Sequence, residues 1–257
     1  MLLSVVSRID ELIAAARLRG LKPWLVVKER LAECAITAMA RETRVVLQGG
    51  AALHFAHGSP RLSADVDFVG NSAREALAER GPEIAAAASQ ALGAPAHWTM
   101  RSDGRLTRGK VTIEVDAGRQ IVLPVEAYAV PAHDAMRDPR FGQVERAGEI
   151  AADKVVASAS RLARRGVLKT RDLYDLWFIR TRLGLPPPPT ELVAKKMLDY
   201  GQARCDLDVA AAARATSAEE MTASLQGVLP AGELVVTDAA QVVEAAADWL
   251  ERYRDVV

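Results

Sequence analysis

Between Gly49 and Gly70 the chain reads GGAALHFAHGSPRLSADVDFVG, and no other stretch limits the possible folds so tightly. The β-branched run RVVLQGG ends in a glycine pair, a short helical turn follows, and LSADVDF then alternates apolar and acidic residues. In an extended segment Ala64, Val66 and Phe68 take one side, and Asp65 and Asp67 the other. Two like charges roughly 6–7 Å apart on one strand face repel and gain nothing from a hydrophobic core. A divalent cation that neutralises them explains the pairing, with Mg²⁺ the natural choice and Mn²⁺ its substitute. Gly49 and Gly50 remove side chains where backbone N–H groups approach phosphate oxygens, and a helix starting at Ala51 adds its positive end. The pattern therefore predicts a site for a cation and a triphosphate.

The rest of the chain narrows the setting. Half of the 257 residues are apolar, enough for one large globular domain or two closely packed smaller ones. Acidic and basic residues balance at 33 each, so a polyanionic or membrane partner must be met by local segregation of charge. Cys34 and Cys205 stand far apart in no zinc-binding or redox spacing, which argues against a disulfide framework and for a reducing, cytoplasmic setting. The N-terminal apolar run is broken by Arg8, Asp10 and Glu11, and no window offers eighteen uncharged apolar residues. Neither an export signal nor a membrane span is expected.

Apolar residues recurring every three or four positions predict amphipathic helices over Ser7–Leu18 and Pro23–Arg41. After the acidic strand comes an alanine-rich helix, expected to be interrupted at Gly81 and Pro82. A hairpin follows, turning near Ser102 to Gly104, and then a further strand, QIVLPVEAYAV. In VTIEVDAG the alternation returns and puts Thr112, Glu114 and Asp116 on one face. Either acid could complete a trio with Asp65 and Asp67. Past about Phe141 the periodicity turns helical, which divides the chain into residues 1–140, strands with N-terminal helices, and 141–257, a helical half. In that half Lys154, Ser158, Arg161 and Arg165 form one ridge, opposite a stripe of Ala151, Val155, Ala159 and Leu162. In KTRDLYDLW, Asp172 and Asp175 lie one turn apart, and an Arg171–Asp175 helical pair is the plain expectation for the second.

The ordered set G-G, R-L-S-A-D-V-D, EIAADKVVA and RDLYDL, from about Val45 to Leu176, resembles the AbiEii and MenT type of nucleotidyltransferase. These are toxins of toxin–antitoxin pairs within the DNA polymerase β-like superfamily. The 14-residue spacer between glycines and acids is a little longer than usual for the group. The resemblance implies an α+β fold, a polymerase β-like core with a mixed sheet followed by a helical half that completes the active site. It implies metal ligation by Asp65 and Asp67, a third acid at Glu114 in preference to Asp116, and nucleotide binding by Gly49, Gly50, Ser63 and Lys154. Asp172 becomes an active-site acid, whereas Ser63 can equally end the loop before the strand. The implied activity is transfer of NMP from an NTP to the 3′ acceptor end of tRNA, blocking translation, with an antitoxin protein as partner. Arg161, Arg165 and Arg171, within a cluster of basic residues in the helical half, would face that acceptor. A small-molecule nucleotidyltransferase of the aminoglycoside-modifying kind, or a catalytically silent nucleotide- or RNA-binding protein of this fold, are the alternatives.

Overall fold

The computed structural model describes residues 8–116 and 119–257, and the chain divides into two compact units. The first holds residues up to Val144 together with Gly227–Ala231. Its helices α1 (Arg8–Leu18) and α2 (Pro23–Met39) fall where the periodicity puts them, although Ser7 lies outside the described residues. Pro23 starts α2 at the one helical position where a missing N–H costs nothing. Then come β1 (Val46–Gln48), α3 (Gly49–Phe55), β2 (Val66–Val69), α4 (Ala73–Leu92), β3 (Ala96–Asp103), β4 (Leu106–Asp116), β5 (Arg119–Tyr128), β6 (Ala135–Asp138) and β7 (Gly142–Glu145). The seven strands form one mixed sheet in the order β3-β4-β5-β2-β1-β7-β6, in which β1 runs antiparallel to β2 and β2 parallel to β5.

The helix expected to break at Gly81 and Pro82 is continuous: Pro82 sits inside α4. Glycine makes this tolerable, because proline clashes with the Cβ of the preceding residue and Gly81 has none. The same missing Cβ makes room for Trp98, whose indole would stand 2.1 Å from it, and Gly109 serves the other side of that ring. Trp98 thus fastens β3 and β4 to α4, whose buried Leu77, Ile84 and Ala88 face the sheet. Residues Gly227–Ala231 join this unit through backbone bonds from Lys22 N–H to the Gly227 carbonyl, from Leu62 N–H to Val228 and from Ala231 N–H to Arg19.

The second unit is helical: α5 (Ala147–Arg165), α6 (Thr170–Trp177), a π turn over Phe178–Arg182, α7 (Thr190–Asp199), α8 (Val209–Arg214), α9 (Ala218–Leu225), α10 (Ala231–Val236) and α11 (Ala239–Glu251). Asp208, Ser217 and Asp238 cap their helices by accepting backbone N–H bonds, each worth about 1 kcal/mol. One feature was not foreseen. Lys196 is fully buried, with Glu145 at 3.1 Å, Glu149 at 2.5 Å and Asp153 at 3.2 Å. Burial, then the neighbouring Asp153 carboxylate, pushes Glu145 well above the usual carboxyl range, as expected where one ammonium faces three carboxylates. Among the described residues no helix is long and apolar enough to cross a membrane.

Candidate active site

In the first unit the site is built at the β1–α3 turn. Gln48 on β1 is in register with Asp67 on β2, and Gly49 follows with φ +69°, a conformation that glycine alone adopts without strain. A Cβ at Gly49 would lie 3.3 Å from Asp67 Oδ2. At Gly50 it would lie 2.6 Å from the Arg61 guanidinium and 3.0 Å from Ser63 Oγ. The glycines therefore serve close approach of this backbone to the acidic strand and its preceding loop. Ser63 is buried, and its hydroxyl donates to Asp65 Oδ1 at 3.0 Å, which ties the loop to the first acid. Arg61 is only 3 % exposed and donates to the Leu62 carbonyl. Asp65 and Asp67 are half-buried, flanked by buried Val66 and Phe68; β2 begins only at Val66, so Asp67 lies on the strand and Asp65 in the bend before it.

Strand register puts Glu126, not the expected Glu114, beside Asp67. Glu114 is exposed and pairs with Gln120, whereas Asp67 pairs with Glu126 on β5. Six residues of strand separate Gln120 from Glu126, about 20 Å, so Glu114 is not brought to the acids. The side chain of Asp116 lies outside the described residues; its backbone pairs with Arg119, farther still along the strands. Glu126 accepts from Arg108 Nε at 3.1 Å and from the Tyr128 hydroxyl at 2.8 Å. Burial, then Asp67 and Glu126, raises the Tyr128 phenol far above its ordinary value, so it stays a donor. Local alternation fits Glu114 and Glu126 equally, and only the long-range pairing of β2 with β5 separates them.

In the second unit, α5 and α6 build a separate constellation. Lys154 Nζ lies 2.7 Å from Asp172 Oδ1 and 2.8 Å from Asp175 Oδ2, and Arg161 reaches Asp172 Oδ2 at 3.2 Å. Asp172 and Asp175 are buried, and Lys154 nearly so. Burial alone would raise Asp172; the Lys154 ammonium, with Lys169 and Arg161, more than offsets it and holds the carboxyl well below the usual range. Asp175, expected in a surface pair with Arg171, instead lies fully buried against Lys154, because Leu173, Leu176 and Trp177 sink this whole face of α6 into the core. The ridge on α5 divides: Ser158 is buried, Arg161 is bound to Asp172, and Arg165 is exposed in the last turn. Arg171 is half-buried. His54 bonds Glu29 and the Ser59 carbonyl.

A glycine turn against a D-x-D strand in a mixed sheet, with a helical unit carrying a lysine–aspartate constellation, defines a nucleotidyltransferase-type protein. A family model for the nucleotidyl transferase AbiEii toxin of type IV toxin–antitoxin systems matches residues 31–252, and the chain belongs to that family. Among solved structures, that of a candidate nucleotidyltransferase from H. pylori has a TM-score of 0.54 at 16 % identity, covering 91 % of this chain and 96 % of the other. JHP933 from Helicobacter pylori has a TM-score of 0.53 at 16 % identity, covering 91 % and 94 %. At that identity the likeness is one of fold. No curated protein matches the sequence.

Proposed function

We propose that this nucleotidyltransferase is metal-dependent and moves NMP from an NTP to the 3′ end of tRNA, and that this arrests translation until a cognate antitoxin relieves it. The observation that carries the reading is the packing of Gly49 against Asp67 and of Gly50 against Arg61 and Ser63, with Ser63 bonded to Asp65 and Asp67 in register with Glu126.

The donor set suits Mg²⁺. It is all oxygen and half-buried, and carboxylates of this kind hold the ion together with water and phosphate oxygens. Among the described residues no group of three or more His, Cys, Asp or Glu is placed to hold a metal ion by itself, so the reading has the cation held by Asp65 and Asp67 together with the substrate's own phosphates. When bound, the ion neutralises the triphosphate and lowers the pKa of a hydroxyl. The backbone at Gly49 and Gly50 cradles phosphate oxygens, and Ser63 orients Asp65. The acceptor's 3′ oxygen forms a bond to the α-phosphorus, the bond from that phosphorus to the β-phosphate oxygen breaks, and pyrophosphate leaves with the hydroxyl proton passing to a carboxylate of the acid cluster. Lys154, held by Asp172 and Asp175, is the cation assigned to the leaving phosphates.

The acceptor is tested by offering the protein Mg²⁺ and each α-labelled NTP alone, with total tRNA, or with an aminoglycoside. Label in tRNA that resists phenol extraction is expected. Label in the aminoglycoside would replace the acceptor, and retention of NTP with no product would mark a binding protein.

A further inference from the structure

Strand pairing aligns the acids with two cations toward the β3 edge of the same sheet face. One row runs Gln48, Asp67, Glu126, Arg108, Arg101 across β1, β2, β5, β4 and β3. The adjacent row holds Pro124, Lys110 and Thr99. Because Val66 pairs with Val125 in the parallel β2–β5 ladder, this second row points toward Asp65. Register partners project from the same face of a sheet, and this face is opposite the one that α4 covers through Trp98, Gly109 and Val111. Arg101, Lys110 and Thr99 are exposed.

The charges on this face are not explained by stability. Arg101 and Arg108 stand directly opposite each other, an arrangement that costs free energy. Glu126 holds Arg108, but Arg101 and Lys110 have no ion-pair partner among the described residues. Resting on the reading above, we infer that this ledge is the docking surface for the single-stranded end of the acceptor RNA. Arg101 and Lys110 contact its phosphates while the terminal hydroxyl lies over Asp65 and Asp67. Arg101 is three strands from Asp67, about 14 Å, a span that a few nucleotides of an extended strand bridge. Thr99 and Arg108 line the path between them, and a positively charged track suits the phosphates of a strand's backbone.

The test is binding of fluorescein-labelled total tRNA by anisotropy without NTP, with Mg²⁺·NTP affinity measured separately. R101E/K110E is expected to weaken tRNA binding at least ten-fold, and R101Q/K110Q to lower the slope of log K against log salt by about 1.4, for two single-strand contacts. Mg²⁺·NTP affinity should stay within two-fold, which also reports that both variants are folded. If tRNA binds and these variants match the native protein, or if only R165Q/R171Q weakens binding, the ledge is overturned and the tRNA reading stands. If the native protein binds NTP but not tRNA, both fall together.

Discussion

Asp67 on β2 and Glu126 on β5 are register partners in a parallel ladder, so their side chains share the sheet face on which the proposed chemistry occurs. Glu114, six residues along β4 from Arg108, the register partner of Glu126, does not reach this row. Glu126→Gln should therefore lower kcat for nucleotidyl transfer at least ten-fold, whereas Glu114→Gln should leave it within two-fold. Steady-state rates of the two variants decide which carboxylate belongs to the site.

Substituting the glycines should separate strain from access. Gly50→Ala pushes a methyl group into the buried Arg61 guanidinium, an overpacking that costs about 1–3 kcal/mol. Gly49→Ala adds left-handed backbone strain of about 1–2 kcal/mol and crowds Asp67. Both variants should melt lower, and both should bind Mg²⁺·NTP more weakly than their stability loss explains. Thermal melts with and without nucleotide read the two effects.

Lys154 should prove structural as well as functional. Lys154→Met leaves Asp172 and Asp175 buried without their nearest ammonium, a loss of about 3–5 kcal/mol. The triple variant K154M/D172N/D175N removes the stranded charge and should recover most of that stability while remaining inactive. Urea denaturation beside the transfer assay distinguishes the two roles. Recovery of activity along with stability would mean that Lys154 serves the fold alone.

The two buried charge clusters should give opposite pH signatures. The depressed Asp172 contributes stability that is complete above the unfolded carboxyl value of about 3.9 and is lost as pH falls below it. Glu145 is raised, so its contribution is complete below an unfolded value of about 4.3 and is lost as pH rises toward its folded value. Asp172→Asn should flatten the acid limb of the stability profile, and Glu145→Gln should flatten the decline above about pH 5. Chemical denaturation from pH 3 to 9 measures both.

What the sequence disclosed was local. Alternation in VDFV defines which side chains share a face whatever the strand pairs with, so the outward position of Asp67 between buried Val66 and Phe68 could be read directly, whereas Asp65 falls in the bend before the strand. The glycine turn was legible for the same reason, since RVVLQGG carries its own stop. Glu126 was hidden because its relation to Asp67 depends on β5 pairing parallel to β2 across 59 residues of chain, and nothing in QIVLPVEAYAV declares that partner. Asp175 was misjudged because helical spacing gives a neighbour at Arg171 but not the burial of the helix face. Lys196 escaped notice altogether: a lysine in TELVAKKML reads as a solvated charge until Glu145, Glu149 and Asp153 are seen around it. The continuity of α4 through Pro82 rests on Gly81, whose missing Cβ spares the proline clash, and the room it leaves is filled by the distant Trp98.

The most direct measurement of the central claim is the rate of label transfer from an α-labelled NTP as a function of Mg²⁺ concentration, for the native protein and for Asp65→Asn and Asp67→Asn. The account predicts saturable dependence on Mg²⁺, abolition by chelation, and a loss of at least a hundred-fold in each variant with the fold retained. Transfer at the native rate by Asp67→Asn, or full activity after chelation, would contradict it.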